Sequence, residues 1–121
     1  MPKIAISSEG PTLEDQVDPR FGRAAGFVIA DPKNLSITYI NNGTSQALSQ
    51  GAGIQAAETV AKAGVTAVLT GYVGPKAFQA LNAAGIKVAQ DFENLSVREA
   101  IERYNNGEIK WAELSSAMGP R

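Results

Sequence analysis

Apolar residues fall along the chain in two rhythms, and the changes of rhythm mark the elements. Lys3–Ser7 is a short apolar run carrying Ile4 and Ile6, the pattern of a buried strand. Gly26–Asp31 and Leu35–Asn41 read as two further strands, the second alternating with Leu35, Ile37 and Tyr39 on one face. Asp31-Pro32-Lys33-Asn34 between them suits a type I turn with a left-handed exit, which makes the pair an antiparallel hairpin. From Gly51 the period lengthens. Ile54, Ala57, Val60 and Ala61 share one face of a helix running to about Ala63, and Gly64 suits its left-handed stop. Val65–Thr70 is a continuous apolar run, as a central parallel strand requires. Pro75 opens a helix to Ala84 with Phe78 and Leu81 inward, Gly85 stops it, and Ile86–Ala89 is a short strand. Ser96-Val97-Arg98-Glu99 is a capping box, predicting a last helix to about Asn106 that buries Val97, Ala100, Ile101 and Tyr104. The tail from Glu108 reads as peripheral, with Trp111 and Leu114 packing as a final turn and the last residues frayed.

The order is strand, long loop, hairpin, then helix and strand in alternation. This is an α/β domain whose sheet is parallel on one side and carries an antiparallel pair on the other. At 121 residues the chain reads as a single domain, residues 1–121. The echo of Ala63-Gly64-Val65 in Ala84-Gly85-Ile86 is the grammar of that alternation, not a solenoid repeat. In open α/β sheets, ligands gather beyond the carboxyl ends of the strands. Two irregular segments leave from such ends: Gly71–Pro75, and Ser8–Ala25, which exceeds the roughly 12–15 residues of most structureless loops.

Composition narrows the chemistry sharply. The sequence contains no Cys and no His. That removes disulfides, thiolate catalysis, Cys-held zinc and iron–sulfur sites, and the commonest general base and transition-metal ligand. The formal net charge of −1 argues against a general nucleic-acid or membrane-surface binder. No apolar run reaches the length of a signal peptide or a membrane span, so the expected location is the cytoplasm.

Three segments carry groups that could bind. Arg20-Phe21-Gly22-Arg23 puts two guanidiniums around a Phe and a flexible Gly, a set suited to phosphate, carboxylate or a diffuse sulfide anion. The structural alternative is that both Arg residues pair with Glu14, Asp15 or Asp18 and close the loop. Gly51-Ala52-Gly53-Ile54 and Gly71-Tyr72-Val73-Gly74 each lead into a helix, where unpaired N–H groups and a partial positive charge favour anions. Neither matches a P-loop or a dinucleotide fingerprint, and a tight turn explains each equally well. Gln50 and Gln55 bracket the first of these segments, and Tyr72 could stack on a ligand or cover the sheet end. Catalysis finds little support. Asp31, Asp91 and Glu93 lie near strand ends without a spacing that predicts convergence. Ser7 and Ser8 have no His to activate them, and a Ser–Lys pairing with Lys76 is the weakest option.

Taken in order, Ile4-Ala5-Ile6-Ser7, Arg20-Phe21-Gly22-Arg23, Gly51-Ala52-Gly53-Ile54-Gln55-Ala56-Ala57 and Gly71-Tyr72-Val73-Gly74-Pro75 with Ala77, Phe78 and Leu81 resemble the dinitrogenase iron–molybdenum cofactor-binding (cofactor biosynthesis) family. The resemblance spans about Lys3 to Tyr104 and is nearest to its small, orange-protein-like members. It implies a ribonuclease H-like fold, a five-stranded mixed sheet flanked by helices, without nuclease activity. It also implies a binder or carrier of molybdenum- or iron-containing sulfide clusters, in small members a mixed molybdenum–copper sulfide cluster. Many relatives carry a His just before Gly-Ala-Gly; Gln50 stands there in this chain, so imidazole ligation at that position is ruled out.

The expectation is therefore a non-catalytic protein that grips an anionic molybdenum–sulfide cluster, with or without copper, through Arg20, Arg23 and backbone donors at Gly51–Ile54 and Gly71–Gly74. The iron–molybdenum cofactor or its precursor is the alternative cargo, and a cluster donor or acceptor protein the partner. Two other classes stay open: a module for a phosphate-bearing metabolite or nucleotide, and a protein-interaction domain docking through the loops around Phe21 or Tyr72.

Overall fold

Along the first strand, β1 (Lys3–Ser8), side chains alternate between two cores: Ile4 and Ile6 enter one, Ala5 the other. The same alternation runs through β2 (Gly26–Asp31), where Val28 and Ala30 oppose Phe27 and Ile29. A sheet apolar on both faces must be covered on both. The structure, a computed structural model, describes residues 2–46, 48 and 50–113, with only the backbone of Thr44 and Ser45.

The remaining elements are β3 (Ser36–Asn41), a short α1 (Gly43–Gln46), α2 (Ala52–Lys62), β4 (Val65–Leu69), α3 (Pro75–Ala83), β5 (Lys87–Ala89) and α4 (Val97–Asn105). The five strands form one mixed sheet in the order β3-β2-β1-β4-β5. β1 pairs antiparallel with β2 and β2 with β3, while β1–β4 and β4–β5 are parallel. Residues of α2 and α3 (Ala57, Val60, Phe78, Leu81) close the core on one face. Val97, Ala100 and Ile101 of α4 close the other. The capping box forms, with Ser96 Oγ accepting from the Glu99 N–H and Glu99 accepting from the Ser96 N–H.

The hairpin differs from expectation by one residue. The left-handed position is Leu35 (φ 60°), not Asn34, and β3 begins only at Ser36. Asn34 Oδ1 accepts the Ser36 N–H at 2.8 Å, so its side chain stabilises the turn while the next residue takes the unusual backbone. The tail also departs from the expected final turn. Trp111 forms an antiparallel bridge with Ala89, and the Ala112 N–H donates to Val88 O at 2.7 Å. The Trp111 ring meets Tyr104 edge-on at 6.3 Å and lies 5.5 Å from Lys87 Nζ. This segment covers the outer side of three-residue β5, an edge that would otherwise present unpaired backbone groups. Leu114 and the frayed terminus expected from the sequence lie outside the described residues.

Candidate functional site

The pairing directions send the carboxyl ends of β1, β3, β4 and β5 to one rim of the sheet. The chain leaving that rim begins α2 and α3 beside each other, and the loop after β1 crosses in front of them.

That loop is a fixed structure. The buried Asp18 carboxylate accepts the Arg20 N–H at 3.0 Å and the Ala25 N–H at 3.2 Å, drawing both ends of the Arg20–Arg23 segment together. Buried Asn42 donates from Nδ2 to Ala24 O at 3.0 Å and to Gly22 O at 3.2 Å. Asp18 is itself anchored, because Ser7 Oγ donates to its carbonyl at 2.8 Å while lying 2.6 Å from Thr70 Oγ1. Behind the loop, Tyr39 lies across Gly26, where any Cβ would collide with its ring and hydroxyl. Burial, reinforced by the nearby Asp15 and Asp18 carboxylates, pushes the Tyr39 phenol above the ordinary tyrosine range.

In front of the helix starts lies a hollow of about 560 Å³. The loop contributes Arg20, Phe21, Gly22 and Arg23; the start of α2 contributes Gly51, Ala52, Gly53 and Ile54; Tyr72 and Gly74–Ala77 close the third side. Phe21 is a core residue whose ring meets Phe27 at 5.2 Å, so it forms floor and not a mobile clamp. Ile54 and Tyr72 stand at the mouth.

The lining includes three cationic side chains and no carboxylate. Arg20 is 59% exposed at its side chain and reaches Asp18 only loosely, with Nε 3.6 Å from Oδ1. Arg23 is tied differently: its Nη1 donates to Leu48 O at 2.6 Å and Gln46 O at 3.1 Å, bracing the segment that leads to α2. Glu14 instead pairs with Arg98 at 2.6 Å, away from the hollow. Both helix starts lack a side-chain cap: Gly51 (φ 78°) stands at the N-cap of α2 and Gly74 at that of α3. Their first-turn amides have no partner within the helix, apart from Pro75, which has no N–H.

Three of the residues singled out in the sequence stay out of this lining. Gln50 is exposed beside it. Gly71 is buried, and a Cβ there would collide with the backbone of Pro19, so it seats the loop against the end of β4. Val73 is fully buried, and its N–H donates to Gln90 Oε1 at 2.8 Å. In the other direction, Pro75, Lys76 and Ala77 line the hollow without having been read as binding residues. The signal for Lys76 is its place as the first charged residue after the Gly71–Pro75 junction, in the first turn of α3.

Chemically the lining suits an anion. Among the described residues no group of three or more His, Cys, Asp or Glu side chains could hold a bare metal ion. Its donors are guanidinium, ammonium and main-chain N–H, which suit a metal only when it arrives inside an anionic shell.

Residues 2–107 match the family model described as dinitrogenase iron-molybdenum cofactor. The fold superimposes with TM-score 0.91 on the apo form of the orange protein from Desulfovibrio gigas, 55% identical, covering 100% of this chain and 97% of that one. A Thermotoga protein of the DUF35 family, solved by NMR, gives TM-score 0.81 at 30% identity, covering 100% and 99%. An uncharacterized protein of Methanocaldococcus jannaschii is 29% identical over 110 residues, 89% of each chain. The match covers the strands, the Arg-bearing loop and both glycine-led helix starts, and the chain belongs to the dinitrogenase iron-molybdenum cofactor family.

Proposed function

We propose that the chain is a non-catalytic binder or carrier of an anionic metal–sulfide cluster, molybdenum-containing with or without copper, held non-covalently in the hollow. The observation that carries this reading is the pairing of three cations with no carboxylate in the lining, in a sequence without Cys or His. A cluster that brings its own sulfides needs no protein thiolate; it needs charge neutralisation and a shaped wall. In this reading Arg20 and Lys76 face the cargo, Arg23 adds charge while bracing Gln46 and Leu48, and the first turns of α2 and α3 supply N–H groups. Gly71 and Val73 act indirectly, by seating the loop and fixing the junction, and Gln50 borders the mouth. The family name and the likeness to the orange protein support a cluster as cargo. The iron–molybdenum cofactor or its precursor is the alternative within the same class.

A carrier implies a cluster donor or acceptor protein as partner, and the open mouth of the hollow is where cargo would pass. The net charge of −1 gives no basis for nucleic-acid binding. No helix among the described residues is long and apolar enough to cross a membrane. We place the protein in the cytoplasm, a reading that the absence of Cys allows.

The test is a titration of metal-free protein with tetrathiomolybdate and copper, followed by visible charge-transfer absorption. Wild-type protein is expected to develop the band at stoichiometric ligand. Arg20→Gln/Lys76→Gln is expected to lose about tenfold or more in affinity, since hydrogen bonds to charged groups contribute roughly 1.5–3 kcal/mol each. Arg23 is left in place because it also holds the carbonyls of Gln46 and Leu48. Unchanged uptake in the double variant overturns the proposal. So does a thermal shift with nucleotides and none with thiometallates, where a ligand at 100 times its Kd adds about 2.7 kcal/mol.

A further inference from the structure

Resting on the cluster-binding reading above, we infer that the hollow selects weakly hydrated, polarizable anions over oxoanions of the same charge and shape, and that Ile54 and Tyr72 set this preference. Among the described residues these two are the large apolar side chains left exposed, at 41% and 44%, and both line the same hollow. The other large apolar side chains among the described residues are buried or half-buried; these two are exposed beside the cations. Phe21, Ala52, Pro75 and Ala77 extend the apolar wall inward.

The amides of the α3 start are one short beside this apolar wall. Pro75 removes one amide from α3. An oxoanion such as phosphate or molybdate is strongly hydrated, and it binds where many N–H groups replace its lost water. A thioanion spreads the same charge over large sulfur atoms. It loses less hydration on entry and gains dispersion contact from carbon walls. Charge at the rim attracts both anions, so discrimination falls to the walls.

The test compares tetrathiomolybdate with molybdate, which share charge and tetrahedral shape, by calorimetric titration of the whole chain at one ionic strength. The wild-type protein is expected to prefer the thioanion by at least about tenfold. Ile54→Ser/Tyr72→Asn, both surface changes, is expected to weaken the thioanion several-fold and leave molybdate unchanged, collapsing the ratio. Equal or reversed affinities in the wild type overturn the inference and leave the hollow standing as an anion site. An unchanged ratio in the double variant overturns the assignment to Ile54 and Tyr72. Failure of the thioanion to bind either alone or with copper added overturns the underlying reading as well.

Discussion

Gly22 and Gly53 touch backbone to backbone: a Cβ placed on Gly22 would lie 2.8 Å from both the Cα and the nitrogen of Gly53. Gly53 in turn leaves no room toward α3, because its own Cβ would lie 2.9 Å from Ala77 Cβ. Loop, α2 and α3 therefore meet in one line of contacts, and the shape of the hollow is set by rigid backbone. Glycine at these positions serves close packing.

Gly22→Ala should consequently destabilise the fold, because backbone at both neighbours must shift. Overpacking of this kind costs about 1–3 kcal/mol, which a lowered denaturant midpoint at unchanged slope would report.

The α2–α3 contact gives a coupled pair. Gly53→Ala creates a clash that Ala77→Gly relieves, so the double variant should be more stable than the sum of the single effects implies. Contacting residues commonly couple by about 0.5–3 kcal/mol in a double-mutant cycle, and strict additivity would contradict the contact.

Asn42 spans from the end of β3 to the loop carbonyls of Gly22 and Ala24. Asn42→Ala leaves those acceptors without this donor, at a cost of about 1–3 kcal/mol. Faster amide exchange across the Arg20–Arg23 segment, with the sheet core unaffected, is the expected signature in hydrogen-exchange mass spectrometry.

Tyr39 gives the protein a dependence on alkaline pH. Its folded-state phenol titrates above the unfolded value, chiefly through burial, with the Asp15 and Asp18 carboxylates adding to the shift. The stability it contributes is complete below the unfolded pKa of about 10 and is lost as pH rises through the folded value, because the unfolded chain releases the proton first. Unfolding midpoints should fall above this range, and Tyr39→Phe should flatten that fall.

Much of this molecule was legible in its sequence for local reasons. Short apolar runs at residues 3–7 and 26–31 marked strands, Gly64, Gly85 and Gly107 each take the left-handed backbone after a helix, and Ser96–Glu99 fixed a helix start. What escaped depends on tertiary neighbours. Asn42 looks like an ordinary loop polar residue until buried against the loop it holds, and Asp18, one of three carboxylates the sequence offers to the Arg residues, closes the loop chiefly by accepting the Arg20 and Ala25 N–H groups. Gly22 reads as a flexible link and Gly71 as part of an anion-favouring helix entry or a tight turn, whereas their missing side chains make room for Gly53 and Pro19. Lys76 faces the hollow because α3 starts beside α2, a placement no local pattern encodes.

The central claim is that one rim, built from the Arg20 loop and the starts of α2 and α3, receives the anion. The most direct measurement is amide chemical-shift mapping of isotope-labelled protein during addition of tetrathiomolybdate and copper. Perturbations concentrated at residues 20–23, 51–54 and 72–77 are the predicted result; perturbations centred on α4 or on the far edge of the sheet, with these residues unmoved, would contradict it.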